Sequence, residues 1–335
     1  MGGNALKEYN VVRLEATEYH YLSNEILNNL KYCLPDTRFD IIPAYKNKQT
    51  FGDMDILYSN ENNNINVIET IKEHFNPFGI IRNGSCCSIT YPSSNGLFQV
   101  DFIKSTPEEH DFSLKYYAFN DLGNLVGRIY HKMGLKFGHD GLKYILRNPN
   151  KDNQIIKELL ITRDWEYVIK LGKFPDYNSY HFNELEDVFN YVIQSPYFNK
   201  DIFLLENRNH ISRTRDRKRT SYMLFLKWIE SHPSLPNFNW RNGKESYLNN
   251  CLEDFPEFKK EYYASLERYH YVQKLKEKYN GDLIREWTNL DGKELGTFIK
   301  YLNLIIREPY IEKNSIEDIS ILVKKLYVDY LTRSI

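Results

Sequence analysis

The sequence predicts an α+β protein in which a mixed-sheet catalytic module is followed by an all-helical domain. Before residue 150, short apolar β-prone runs alternate with helical periods, whereas after it helical periods dominate. The chain has 335 residues, of which 41% are hydrophobic and 27% charged, enough for two or three modules. A mean hydropathy of −0.59, with no apolar run of the ~18 residues that a spanning helix needs, argues against a membrane protein.

The charge balance and the cysteines narrow the class of protein further. The chain has 44 basic and 45 acidic residues, so a nucleic-acid partner would have to bind a local basic patch. Its 4 cysteines show no metal-ligand spacing, which predicts reduced thiols, no structural zinc and a cytoplasmic location. Neither a signal peptide nor a lipid anchor is predicted from the N-terminal residues.

We predict an N-terminal helical segment at residues 1–38, a catalytic domain at 39–148 and a helical domain at 149–335. Strands are predicted at residues 39–45, 53–58, 88–91, 97–103 and 142–146. Helices are predicted in the first two segments at residues 15–30, 65–75 and 121–133, the last with Asp121 as N-cap and Gly134 as its end. In the third segment they are predicted at residues 153–160, 164–171, 182–193, 220–231, 257–278, 292–306 and 316–332.

Two acidic residues stand two positions apart at the start of a β-prone run, in Gly52-Asp53-Met54-Asp55. Alternate side chains of a strand point to the same face, so Asp53 and Asp55 project together. A later apolar run carries one acidic residue, Asp101, which would lie beside the pair if the two strands were neighbours. Three converging carboxylates repel one another unless cations separate them. The pattern therefore predicts two Mg²⁺ or Mn²⁺ ions about 3.5–4 Å apart, the arrangement used for phosphoryl transfer.

These motifs resemble the nucleotidyltransferase superfamily of DNA polymerase β, in particular the palm domain of family X polymerases. The resemblance covers about residues 40–147. It implies a polymerase β-like mixed sheet and a two-metal transfer of NMP or dNMP from a triphosphate to a nucleic-acid 3′-hydroxyl. By the same resemblance, Asp53 and Asp55 would bind both metal ions, and Asp101 would bind the catalytic ion and help to deprotonate the hydroxyl. Tyr116 and Tyr117 would lie against the sugar of the incoming nucleotide.

The resemblance extends to a helix that carries Asp121, Asn124 and Arg128 at the spacing of that family. Asp121 would lie under the base, and Asn124 and Arg128 would contact the minor-groove edge of the nascent and template pairs. Spacings of three and four residues put all three on one face of a helix, although an N-cap followed by two solvated residues is the alternative.

The segment before the paired carboxylates departs from the family pattern. A Gly-Ser pair that cradles the triphosphate is replaced by Pro43-Ala44, which offers neither the hydroxyl nor the full set of backbone donors. We predict that Lys46 or Lys48, together with Gly52, contributes to nucleotide binding instead. Gly2-Gly3 could add a backbone nest from the N-terminus.

The helical part carries the densest basic run, which precedes the helix predicted at 220–231. We predict that this run contacts a nucleic-acid backbone, with a solvated surface as the alternative. The residues concerned are Arg213, Arg215, Arg217, Lys218 and Arg219. Tyr222, Phe225 and Trp228 have helical spacing and are predicted to lie in the core.

Near the C-terminus, residues 279–284 and 291–296 resemble the tail of tRNA CCA-adding enzymes. This leaves the substrate open between a template-guided DNA polymerase and an enzyme that extends an RNA or tRNA 3′ end. A catalytically silent nucleic-acid-binding protein is the alternative from another class.

Overall fold

The computed structural model describes residues 5–62, 65–149, 151–240 and 243–333. The backbone nest predicted at Gly2-Gly3 lies outside the described residues. The chain divides into two compact units: unit 1 comprises Met1–Arg147 and Glu158–Phe258, and unit 2 comprises Asn148–Lys157 and Lys259–Ile335. In the described part of the chain, no helix combines the length and apolar character needed to cross a membrane.

Ten strands are present in the described residues. They are β1 (Leu14–Glu15), β2 (Arg38–Ile41), β3 (Thr50–Phe51), β4 (Asp53–Ser59), β5 (Ile80–Asn83), β6 (Cys86–Ser93), β7 (Gly96–Lys104), β8 (Leu135–Gly138), β9 (Gly141–Asn148) and β10 (Lys151–Thr162).

Fourteen α-helices are present in the same ranges. They are α1 (Ala16–Cys33), α2 (Val67–Phe75), α3 (His110–Tyr117), α4 (Leu122–Lys132), α5 (Trp165–Leu171), α6 (Leu185–Ile193), α7 (His210–Arg217), α8 (Thr220–Ser231), α9 (Glu245–Asp254), α10 (Pro256–Lys278), α11 (Gly281–Thr288), α12 (Gly292–Ile305), α13 (Glu308–Lys313) and α14 (Ile316–Arg333).

The main sheet of unit 1 has five strands in the order β2-β4-β7-β6-β5. It is mixed, because β4 and β7 run parallel while the other neighbours are antiparallel. The fold is therefore α+β with a mixed sheet, as predicted, and a helical C-terminal region follows it. One face of this sheet packs on α1, whose Leu22, Ile26 and Leu30 share an apolar core with Met54 and Phe102.

The helix predicted at residues 153–160 is wrong, because these residues belong to strand β10. Ile155, Ile156, Leu159 and Leu160 have a spacing that suits a helix, but β10 instead adds to a three-stranded sheet in the order β10-β9-β8. Hydrogen bonding to a neighbouring strand overrides a local helical period here. The region after residue 149 is thus not all-helical, and the chain returns from unit 2 to unit 1 at Glu158.

Unit 2 has its own apolar core, in which Phe298 and Leu302 of α12 pack with Ile319 and Val323 of α14. The segment that resembles CCA-adding enzymes begins two of its helices. The side chain of Asn280 accepts hydrogen bonds from the first amides of α11, and Asp291 caps α12 in the same way. These residues therefore have a local structural function as helix caps.

Candidate active site

The three acidic residues lie together on two neighbouring parallel strands. Asp53 and Asp55 lie on β4, and Asp101 lies on β7 with its Cα in register with that of Asp55. One carboxylate oxygen from each residue can be chosen so that all lie within 4.8 Å of one another. The convergence predicted from the sequence is thus present.

Strand alternation explains why these acids share one face. On β4, Met54 and Ile56 each follow one of the two acids and are fully buried in the apolar core. On β7, Val100 directly precedes Asp101 and is likewise fully buried in that core. Because successive side chains point to opposite faces, anchoring these apolar residues in the core directs the carboxylates to the other face.

Asp101 is held by a neighbour on its own strand. The Nε2 group of Gln99 donates to both carboxylate oxygens of Asp101, each at 2.9 Å. The Oε1 atom of Gln99 accepts from the backbone N–H groups of Ala5 at 3.1 Å and Leu6 at 3.2 Å. The N-terminal segment is thereby connected to the carboxylate cluster through one buried amide.

The environment disfavours three ionised carboxylates. Burial raises the pKa of Asp101 to about 6, and the negative charge of Asp53 adds to this, while hydrogen bonds from Ser88 and Gln99 oppose it. Burial and the charges of Asp53 and Asp101 raise the pKa of Asp55 well above its ordinary value. A divalent cation would relieve this repulsion between the ionised carboxylates, and an all-oxygen donor set suits a hard ion such as Mg²⁺ or Mn²⁺.

The metal-free protein should lose stability as these carboxylates ionise. Asp101 has a folded-state pKa of about 6 against an ordinary value of 3.8, so its contribution to stability is fully present below pH 3.8 and is lost as the pH rises through 6. We expect the melting temperature of wild type relative to Asp101→Asn to fall over this interval in EDTA, measured by circular dichroism. Mg²⁺ should recover stability for wild type mainly above pH 6. If the difference in melting temperature between the two proteins did not change with pH, the raised pKa of Asp101 would be contradicted.

The carboxylate cluster lies in a cleft of unit 1 with a volume of about 1500 Å³. We call it the carboxylate cleft. Arg215, Lys218 and Arg219 also line it, and we call these three residues the basic wall. Anionic and cationic lining residues within one cleft suit a ligand that brings phosphate groups together with metal ions.

Several other predicted residues line the same cleft. Lys48, Gly52, Tyr117 and Asp121 all belong to its lining, with Gly52 joining β3 to β4. Partial burial lowers the pKa of Lys48, whereas the charges of Asp53 and Asp55 oppose this effect.

Asp121 stands at the N-cap position of α4, as predicted, but its side chain makes no capping hydrogen bond there. It forms an ion pair with Arg219 instead. One residue of the basic wall is thus already held by an acid of the cleft.

The structure does not bring the remaining predicted residues to the carboxylates. Asn124, Arg128 and Tyr116 line a separate cavity. Lys46 is exposed, and its backbone N–H donates to the carbonyl of Phe182 at 2.9 Å. The expectation that Asp121, Asn124 and Arg128 would together face the nucleotide therefore has no geometric support beyond Asp121.

The basic run is arranged differently from the prediction. It does not simply precede α8, because residues up to Arg217 form their own helix, α7. Arg213 and Arg217 are absent from the described lining of the cleft. As predicted, Tyr222 and Phe225 are fully buried core residues, whereas Trp228 is only partly buried.

A buried acid inside the basic run joins α7 to α4. Asp216 is fully buried and its Oδ2 lies 2.7 Å from the Nη2 of Arg128. Its carboxylate also lies 3.6 Å from the Nε of Arg208 and 3.4 Å from the Nε of Arg215. This network fixes the basic wall relative to the rest of unit 1.

Sequence reasoning missed some residues of the site. Gln99 stands two positions before Asp101, so strand alternation alone could have identified it as a neighbour on the same face. Tyr19 and Arg13 also line the cleft, and the Tyr19 ring stacks on Phe51 with centroids 3.7 Å apart. No local pattern in the sequence indicates these two, because α1 and β1 reach the cleft only through tertiary packing.

A second polar array resembles a nucleophile, base and acid. His110 lies 3.2 Å from the Oγ of Ser105 through Nδ1 and 2.9 Å from the Oδ2 of Asp40 through Nε2. However, Ser105 and His110 are both buried, and neither cavity described here has them in its lining. We assign this array to structure, since a nucleophile needs access to its substrate.

Comparison of the sequence with protein-family models and with curated proteins finds no match.

Proposed function

We propose that the protein is a metal-dependent nucleotidyltransferase that joins NMP or dNMP from a nucleoside triphosphate to a nucleic-acid 3′-hydroxyl and releases pyrophosphate. The observation that carries this proposal is the carboxylate cluster. Its three acids lie on neighbouring strands with oxygens within 4.8 Å, in a cleft that the basic wall also lines. The resemblance of the sequence motifs supplies the reaction type, and the carboxylate cluster supports the metal-dependent part of it.

Each group of residues has a distinct task in this reaction. Asp53, Asp55 and Asp101 would hold the divalent ions, which supply charge neutralisation and activation of the attacking hydroxyl. Lys218 and Arg215, which line the same cleft, would bind the phosphate oxygens of the triphosphate. Gln99 positions the Asp101 carboxylate. Catalysis by these residues would consist mainly of positioning and electrostatic stabilisation.

The alternative function, that of a catalytically silent nucleic-acid-binding protein, is less well supported by the site. A protein that only binds nucleic acid gains nothing from crowding carboxylates whose pKa values are raised by burial and mutual repulsion. The two functions differ in a melting assay. An active enzyme is stabilised by Mg²⁺ with a triphosphate, and Asp55→Ala should abolish that rise, whereas a silent binder responds to nucleic acid alone.

The basic wall should determine the affinity for triphosphate. We expect Lys218→Ala to raise the KM for nucleoside triphosphate about tenfold, because a charge-assisted hydrogen bond to phosphate is lost. The change in kcat should be smaller. Extension of labelled primers in Mg²⁺ measures both constants, with primed duplex DNA, single-stranded DNA and tRNA compared side by side to identify the acceptor.

Lys227→Ala is the matched control, since Lys227 is exposed on α8 and is absent from the described lining of the cleft. Equal KM values for the two variants would show that Lys218 does not bind the triphosphate. No extension of any acceptor, with either Mg²⁺ or Mn²⁺, would overturn the proposed function.

A further inference from the structure

A second cavity of unit 1, of about 320 Å³, has an unusual lining. Its lining contains five basic residues and, among the described residues, no Asp or Glu. The basic residues are Arg128, Lys136, Arg147, Arg215 and Lys244. Acids nearby offset only part of this charge: Asp216 contacts Arg128 and Arg215, and Glu158 pairs with Lys136 at 2.7 Å. The cavity is therefore positively charged.

Two lining residues also leave hydrogen-bond donors unsatisfied. The Nε of Arg128 and the Nδ2 of Asn124 are buried and have no hydrogen-bond partner. Arg128 is itself only 7% exposed. Buried donors without an acceptor are costly, so their concentration around a cationic cavity indicates a missing acceptor ligand.

The position of Arg215 indicates which anion is expected. Arg215 lines both the carboxylate cleft and the second cavity, so the two cavities adjoin at this side chain. Because basic residues line both cavities, a ligand that extends from one to the other would be anionic in both, as a nucleotide or a nucleic-acid strand is. A volume of about 320 Å³ is large enough for one nucleotide unit.

We infer that the second cavity binds a phosphate group of a nucleotide, which accepts hydrogen bonds from Asn124 and Arg128 and contacts Lys244 and Arg147. The phosphate belongs either to a free nucleotide or to the backbone of a strand whose end lies in the carboxylate cleft. The identification of the ligand as a nucleotide rests on the proposed function. The anionic nature of the ligand rests on the cavity alone.

Asn124→Asp gives a sharp test. The new carboxylate keeps the acceptor that receives the Nη2 group of Arg128 at 3.2 Å, so the fold should be retained. It also removes the unsatisfied donor and introduces a negative charge that repels phosphate. Lys244→Ala removes one exposed cation of the lining. Lys227→Ala is the control, since it removes an exposed cation of α8 that is absent from the described lining of this cavity as well.

Binding is measured in EDTA on the full chain, so that no metal-bound triphosphate contributes. AMP is titrated by calorimetry and a labelled single-stranded oligonucleotide by fluorescence anisotropy. We expect Asn124→Asp and Lys244→Ala to weaken binding of at least one probe about tenfold, with little effect of Lys227→Ala. For the oligonucleotide, the salt slope should fall by about 1 for Lys244→Ala.

The two probes distinguish the sources of the phosphate. Loss with AMP identifies a free nucleotide, and loss with the oligonucleotide alone identifies a strand. Equal affinities of wild type and both cavity variants for both probes, or an equal loss in Lys227→Ala, would overturn the inference. Because no metal and no transfer step is involved, a chain that binds as expected but extends no primer would refute the proposed function and leave this site in place.

A second readout does not depend on affinity. Partial loss of hydration and the positive charges of Lys244, Lys132 and Arg147 lower the pKa of His131, which lines the same cavity. A bound phosphate should raise that pKa, and nuclear magnetic resonance of the imidazole ring protons with and without AMP or oligonucleotide measures it. An unchanged pKa at saturating concentrations of both probes would also overturn the inference.

Discussion

Replacing Asp55 or Asp101 with Asn is expected to reduce nucleotidyl transfer by about three orders of magnitude or more while the chain remains folded. Each substitution removes one anionic ligand from a set whose oxygens lie within 4.8 Å of one another. The amide has nearly the same shape, so the strand register is kept. Single-turnover primer extension with Mg²⁺ or Mn²⁺ measures the loss.

The same two substitutions should not lower thermal stability, although they reduce transfer. Because burial and mutual repulsion raise the pKa values of Asp55 and Asp101, a neutral amide relieves the folded state, and in EDTA each variant should melt at or above the temperature of wild type at pH 7. Asp36→Asn, at an exposed position in the turn after α1, is the control and should leave transfer unchanged. Transfer at the wild-type rate by Asp101→Asn would show that the cluster is not the catalytic centre.

The largest stability effect is expected at the buried acid of α7. Asp216→Ala leaves Arg128 without its main partner at a position where both side chains are almost fully buried. Breaking a buried pair from one side costs about 3–5 kcal/mol in the free energy of unfolding, because an uncompensated charge remains. Urea denaturation of the chain, followed by its tryptophan fluorescence, measures the change in the free energy of unfolding.

Removing both charges should be less harmful than removing one. The double variant Arg128→Met with Asp216→Leu is expected to recover part of the loss, since apolar residues of similar volume can replace a buried pair. Asp201→Ala removes an exposed carboxylate and serves as the control. If Asp216→Ala costs no more than Asp201→Ala, the ion pair does not stabilise the fold.

The parts of the structure that the sequence predicted depend on local patterns. Alternation along β4 and β7 correctly identified the acids that converge, because the apolar residues between them have to enter the core. Helix α8 occupies the predicted residues, since its buried face is made by Tyr222 and Phe225. These features depend on a period of two or of 3.6 residues, which a sequence displays directly.

The features of the structure that the sequence did not predict depend on contacts between residues that are distant in the chain. Strand β10 has a helical spacing of apolar residues and is decided by pairing with β9. Arg128 stands at a spacing that predicts a position beside the carboxylates, but it pairs with Asp216, 88 positions further along the chain, and lines a separate cavity. Gln99 receives its hydrogen bonds from Ala5 and Leu6, which no motif relates to the carboxylates. In each case the deciding interaction is a tertiary contact.

The parallel pairing of β4 with β7 has a consequence for the order in which the protein folds. Strands β6 and β7 are joined by a short turn and can pair as a hairpin within microseconds, whereas the paired residues of β4 and β7, such as Asp55 and Asp101, are 46 positions apart in the chain. Before that distant strand docks, Asp101 has neither Asp53 nor Asp55 beside it, and a docking error of one residue would turn both away from it. Divalent ions that bind the cluster as we propose would therefore not assist the early hairpin. They would stabilise the chain only after the slow, long-range docking step has been completed in the correct register.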